Sequence, residues 1–357
     1  MAMDPVCGMH VDSDDFTAIY DDRTYYFCSD GCRDRFKAET EQYDKSSKYD
    51  LIIIGGGPAG LTAAVYASVT RLHTFLISKD IGGQAIDSTK IKNYMGFDFI
   101  TGPELVEKFK DQFLHRHYLE HVMDEVTSID PKDGDYEIIT RNNNRYLTKA
   151  VIIASGMKRR KLGIPGEQRL LRKGVSHSTL QDTSIFSGKN IVVVGGGNSG
   201  IQTARGLLQS GCHVTLVEKA NITADPSELE ILTDNPDFEI LDKHDVTEIY
   251  GKNNVEGVEV QSLADLCKQQ IACSGVFIQV GLIPNTEFCL NLLDLNDKGE
   301  IKIGPDCSTS AEGIFACGDV TEVFGKRIII ASGEGAKAAL SAKQYLHEKN
   351  KKSVGKQ

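Results

Sequence analysis

Residues 174–200, GVSHSTLQDTSIFSGKNIVVVGGGNSG, decide how the rest of the chain is read. In the second half, four aliphatic residues at 191–194 run into Gly195, Gly197 and Gly200, with Asn198 and Ser199 inside the turn. A strand that ends in glycines at this spacing and opens a helix lets a dinucleotide pyrophosphate lie against backbone N–H groups at the helix N-terminus. Working outward, the same pattern recurs 140 residues earlier, where the aliphatic run at 51–54 leads into Gly55, Gly57 and Gly60. One such fingerprint is a weak signal, but two in one chain predict two dinucleotide sites. The expected fold class is α/β, built on two Rossmann-type three-layer domains.

The totals fit that reading. The 357 residues suffice for two or three cores. A formal charge of −10 argues against nucleic acid or an anionic membrane as the main partner, because both reward basic faces. No run reaches the roughly 20 apolar residues of a membrane span. Residues 1–16 are acidic and show no basic segment followed by an apolar core, so no leader peptide and a cytoplasmic location are expected. Nine cysteines, unevenly spread, read as thiols or metal ligands rather than a disulfide framework.

Residues 1–44 stand apart. Phe16, Ile19 and 25–27 predict short strands and 29–36 a brief helix, in a unit too small to be secure without a metal or a larger neighbour. Cys28 and Cys32 are one helical turn apart, and with Cys7 they can hold a soft ion such as zinc or copper. Met9 and His10 are the candidates for a fourth ligand, and three buried structural thiols are the alternative. The motifs Asp4-Pro5-Val6-Cys7-Gly8-Met9 and Tyr26-Phe27-Cys28-Ser29, with Cys32 and Phe36, resemble the YHS domain, related to TRASH-type metal-binding modules. That resemblance implies a small α+β heavy-metal module.

Further along, Gly82-Gly83-Gln84, Asn93, Ala154-Ser155-Gly156 and the run from Thr309 through Gly313 to Asp319 resemble the low-molecular-weight thioredoxin reductase family. The segments 275–281 and 326–338 carry a closer likeness to its alkyl hydroperoxide reductase flavoprotein branch. The resemblance implies an FAD domain split into 49–164 and 284–347, with a nucleotide domain, 165–283, inserted near Pro165 and Pro284. It also implies a homodimer. Gly55, Gly57 and Gly60 would approach the FAD pyrophosphate, Gly83 and Gln84 the isoalloxazine, and Asp319, after Gly318, the cofactor hydroxyls. Asn93, Ala154, Gly156, Arg327 and Ile328 complete the expected FAD set. A helix opening near Ile329 would aim its N-terminal dipole at the flavin, and Arg327, where the family carries Gln, is expected to raise the flavin potential. Cys317 is read as packing, and the His115, His117 and His121 stretch as a solvated helix face. A basic tail is expected to fray from Lys349 onward.

Glu218 follows Gly195 by 23 positions at the end of the second strand of its unit, where an acid bonds the adenosine ribose and repels a 2′-phosphate. Lys219-Ala220-Asn221 stands where NADPH-using relatives cluster arginines, so NADH is expected over NADPH.

The first half of 174–200 then acquires its meaning. The family carries Cys-x-x-Cys-Asp here, and this chain has Ser178, Gln181 and Asp182. Neither Ser nor Gln forms a disulfide, so the thiol relay is expected to be missing. The leading expectation is an FAD-dependent NAD(P)H oxidoreductase whose acceptor meets the flavin directly. That acceptor would be a metal ion, a small disulfide or quinone, or an electron-carrier protein such as ferredoxin. His177, next to the missing cysteine position, is the candidate proton donor beside the flavin, with Asp182 the second candidate. A non-catalytic redox or metal sensor, and a disulfide reductase using Cys28 and Cys32, are the alternatives.

Overall fold

The computed structural model describes residues 2–4, 10–11, 15–20, 23–38, 48–88, 90–114, 118–177 and 184–354. The chain divides into two compact units, Met1–Met157 with Pro284–Gln357, and Lys158–Ile283. Met157–Arg159 and Leu282–Pro284, where the chain leaves the first unit and returns, form a two-stranded sheet. Pro165 lies within the second unit, its carbonyl accepting from the Ile249 amide.

In the first unit the strand Tyr49–Ile54 lies between parallel neighbours Thr74–Ser78 and Arg145–Ile153. Leu51, Ile52, Ile53 and Ile54 are all buried, as expected of a parallel strand covered on both faces. Each such side chain contributes about 1.5–3 kcal/mol on burial. The strand Arg145–Ile153 changes partner along its far edge. Its first residues pair antiparallel with Asp135–Thr140 and its last three pair parallel with Ile314–Ala316. That switch brings the end of Ile314–Ala316 alongside the ends of the parallel strands, where dinucleotide chemistry is placed in such sheets.

One face of the sheet is covered by the helices Pro58–Val69 and Ile328–Val354. They meet through small residues, Ala59, Ala63 and Ala67 with Ala338 and Ala342. At the crossing, a Cβ on Gly335 would lie 2.0 Å from the Ala59 carbonyl oxygen, so no larger residue fits. The second helix continues to Val354, and Lys349 donates to Asp135 and to the Gly134 carbonyl, so the expected fraying does not begin there.

The second unit is a five-stranded parallel sheet in the order Val175–Ser176, Gly275–Ile278, Asn190–Val194, His213–Glu218, Phe238–Asp242. The helices Asn198–Gln209 and Pro226–Thr233 pack on one face through Ile201, Ala204, Leu207 and Leu232. A three-stranded antiparallel sheet, with Val246, Ile249, Val258 and Val260 inward, packs on the other. The fold is thus α/β with mixed sheets, and the second unit interrupts the first along the chain.

The N-terminal module carries a hairpin, Thr17–Tyr20 with Arg23–Tyr26, and a helix, Asp30–Ala38, around Phe27 and Phe36. One expectation is corrected. His121 is on a strand, Leu119–Met123, paired to Thr74–Ser78, and its ring stands edge-on to Phe113. The helix Gly102–Leu114 ends before it, and Tyr118 at φ +64° turns the chain. His115 and His117 lie outside the described residues.

Candidate functional site

The two glycine turns are built alike. Gly55 has φ +114°, and a Cβ there would lie 2.2 Å from the Ala154 carbonyl oxygen at the end of the neighbouring strand. Gly195 has φ +111°, and its Cβ would lie 2.4 Å from the Gln279 carbonyl oxygen. Third glycines close both turns: a Cβ on Gly60 or Gly200 would stand 1.8 Å from the carbonyl oxygen of Gly55 or Gly195 respectively. The middle glycines face space, with nothing within 4 Å of a Cβ on Gly57 and only the Thr223 hydroxyl, at 3.7 Å, near one on Gly197. Both helices lack a side-chain cap at that glycine. Open backbone beside uncapped first-turn amides is the cradle a pyrophosphate fills, so each turn fits a dinucleotide.

Around the first turn the expected residues converge. A Cβ on Gly83 would lie 3.1 Å from the Gly57 Cα, and the Gly82 amide donates to the Gly56 carbonyl. The Gln84 amide donates to the Met157 carbonyl at 2.6 Å, which fixes the short 3₁₀ turn Gly83–Asp87. Gly156 has φ +63° and open space beside it, and Asn285 braces Ser155 and Gly156 through three hydrogen bonds. Gly318, at φ +75°, packs against the Ala59 side chain and sets Asp319 in the one-turn 3₁₀ helix Gly318–Val320, just past the strand Ile314–Ala316. Burial pushes the Asp319 carboxyl above its usual range, with Lys326 and Arg327 pulling it back. Arg327 is exposed, its carbonyl receives the Ala331 amide, and Ile328 opens the long helix. Asn93 is exposed on the loop between the bridged residues Ile91 and Ile100. Cys317 is fully buried and its thiol is pushed well up by that burial, as packing requires.

In the second unit Glu218 reaches its own glycine turn. Its carboxylate accepts from the Gly196 amide at 2.5 Å and from the Ala220 amide at 2.7 Å. Asn198 accepts from the Asp225 amide, and the Ser199 carbonyl accepts from the Thr203 hydroxyl. His177 sits at the end of the described strand edge, with its Nε2 3.3 Å from Glu167 Oε1. Glu167 is buried and also accepts from the amides of Leu162 and Gly163. The His177 Nδ1 is buried with no partner among the described residues. Burial lowers the His177 pKa, Glu167 raises it, and Arg159 and Lys161 lower it further. Glu167 had no motif to announce it beyond its place after Pro165-Gly166. Ser178, Gln181 and Asp182 lie outside the described residues.

In the N-terminal module Cys28 and Cys32 have their Sγ atoms 3.8 Å apart, and Asp4 Oδ2 accepts from the Cys28 amide at 2.8 Å. The ligand atoms of Asp4, Cys28 and Cys32 all lie within 4.8 Å of one another, a spacing that one metal ion can bridge. Asp4 is buried and was not among the ligands expected from sequence, although it opens the motif that carries the resemblance. Cys7 and Met9 lie outside the described residues.

Two strand–glycine–helix turns on two sheets, each fitted to a dinucleotide, mark a two-domain α/β fold of the thioredoxin reductase-like kind. The chain belongs to the pyridine nucleotide-disulphide oxidoreductase family, whose model matches residues 49–342, and residues 2–46 match the YHS domain. It is 36% identical over 314 residues to the alkyl hydroperoxide reductase F subunit of Staphylococcus epidermidis, covering 86% of this chain and 61% of that protein. The Staphylococcus aureus counterpart is likewise 36% identical over 315 residues, so the chain spans about three-fifths of the length of the curated relatives it matches. Among solved structures, Lactococcus lactis thioredoxin reductase superposes with a TM-score of 0.72 at 32% identity, covering 84% of this chain and all of the other. T. acidophilum thioredoxin reductase gives 0.68 at 33%, covering 83% and 98%. Among the described residues no helix is long and apolar enough to cross a membrane.

Proposed function

We propose that this protein takes a hydride from NADH onto FAD and passes the electrons to an acceptor that meets the flavin without a dithiol relay. The observation that carries this reading is the pair of open glycine turns in a chain whose cysteines nowhere fall three apart. FAD, held by the turn at Gly55, Gly57 and Gly60, with Gly83, Gln84 and Asp319 beside it, supplies the two-electron chemistry when bound. Gly195, Gly197 and Gly200 bind the nicotinamide dinucleotide, and Glu218 orients its adenosine ribose. His177 handles a proton at Nδ1. With Nε2–H donated to Glu167, and burial holding the ring neutral, Nδ1 is placed to accept a proton rather than to give one. Asp182 remains the second candidate. A homodimer in the cytoplasm, with a small molecule or an electron-carrier protein as acceptor, completes the reading.

The test is anaerobic mixing of the FAD-loaded protein with NADH, followed by steady turnover with ferricyanide, Cu(II) or a quinone. Flavin bleaching and sustained NADH consumption support the enzyme. One flavin equivalent reduced and no turnover with any acceptor would make it a redox sensor instead.

The N-terminal module is proposed to bind one thiophilic ion, zinc or copper, through Cys28, Cys32 and Asp4, with Cys7 as a further thiolate. A carboxylate beside two thiols suits a metal and has no part in a disulfide, which favours ligation over a thiol pair for reductase work. Cys28→Ser and Cys32→Ser together are expected to lower bound metal from one per chain to near none, while Asp4→Asn weakens binding about ten- to hundredfold. Elemental analysis and competition with a chromogenic chelator measure both. Full metal retention in the double variant would remove the assignment.

A further inference from the structure

The strand His213–Glu218 ends on the carboxylate assigned to the ribose, and the next residue is a cation, Lys219. A positive side chain one position past that acid stands where a 2′-phosphate would seek its charge partner. Here the Lys219 ammonium is 2.6 Å from Oδ2 of Asp245, on the strand His244–Tyr250 of the three-stranded sheet. The other cation at this loop, Lys243, donates to the Ala220 carbonyl and the Asn221 side chain. Both ammonium groups are therefore engaged. The lysine side chain is 65% exposed, so the pair adds little to stability, and its geometry calls for a different account.

We propose that Asp245 is a specificity-determining residue: by holding Lys219 it keeps the loop after Glu218 from serving a 2′-phosphate and so sets the preference for NADH over NADPH. The inference rests on the reading of the Glu218 loop as the adenosine-ribose site. With Asp245 in place, the charges of Glu218, Lys219, Lys243 and Asp245 cancel, and Asp242, paired beside Glu218, leaves the loop negative. Without it, the charge of the loop rises by one and the Lys219 ammonium loses its carboxylate partner. Asp245→Asn removes the charge with almost no change of shape.

Calorimetric titration of the FAD-loaded full chain with NAD+ and with NADP+ tests this in four proteins: wild type, D245N, K219A and the double variant. D245N is expected to improve NADP+ binding relative to NAD+ by about five- to tenfold, the scale of one added charge contact near a protein surface. The gain should shrink with added salt. In the double variant it should vanish, because Asp245 acts through Lys219. A ratio unmoved in D245N, or a gain that survives the loss of Lys219, overturns the proposal. Glu218→Ala, titrated alongside, separates the two levels of inference. If it leaves NAD+ affinity untouched, the ribose site itself is misassigned and the proposal falls with it. If it weakens NAD+ while D245N changes nothing, only the role of Asp245 is lost.

Discussion

Gly55→Ala should yield a protein that purifies without FAD and melts early, whereas Gly195→Ala should keep its FAD and fail to be reduced by NADH. Each glycine has φ above +110°, and each substitution drives a methyl group to within 2.2 or 2.4 Å of a neighbouring carbonyl oxygen. Backbone forced into that region costs on the order of 1–3 kcal/mol for a residue with a side chain. The clash adds to this, because the carbonyl belongs to a close-packed sheet that cannot retreat. The effects separate because the two turns belong to different units. The flavin-to-protein absorbance ratio, thermal denaturation and anaerobic NADH reduction distinguish them. Loss of FAD in Gly195→Ala, or normal NADH reduction in Gly55→Ala, would assign the turns wrongly.

How much of this was legible in the sequence depends on how local each signal is. The glycine turns are contiguous, so the strand, turn and helix announce themselves together, and the fold followed from them. Glu218 was legible for the same reason, lying at the end of the next strand. Its surroundings were not. Asp245 meets Lys219 across 26 residues, and Glu167 meets His177 through a fold in the chain that no pattern of either residue encodes. Asp4 stands within a contiguous motif, but its approach to Cys28, 24 residues on, depends on the closing of the small module. His121 shows the converse failure. His117 and His121, four apart, suit one helix face, yet the chain turns at Tyr118 and His121 joins a strand of a mixed sheet. Periodicity over so few residues does not separate a helix end from a strand start.

Those non-local contacts shape the second large effect. Glu218→Ala should lower kcat/KM for NADH about ten- to hundredfold, the range for deleting hydrogen bonds to a charged group at a site built around it. Two losses combine. The ribose hydroxyls lose their acceptor, and the amides of Gly196 and Ala220 lose the carboxylate that ties the strand end to the glycine turn. Glu218→Gln separates the two, since a side-chain amide keeps one oxygen for a backbone N–H but carries no charge and turns a donor toward the other. It should therefore retain FAD and fold normally, recover part of the NADH efficiency, and no longer repel a 2′-phosphate. The NADPH-to-NADH ratio should rise in both variants, more in Gln than in Ala, because Gln preserves the loop on which either nucleotide lies. Stopped-flow reduction of the flavin by each nucleotide reads this without involving the acceptor. An unchanged ratio in Gln together with a lowered NADH rate in Ala would reduce Glu218 to a brace for the turn, and nucleotide choice would then have to be made elsewhere in the second unit.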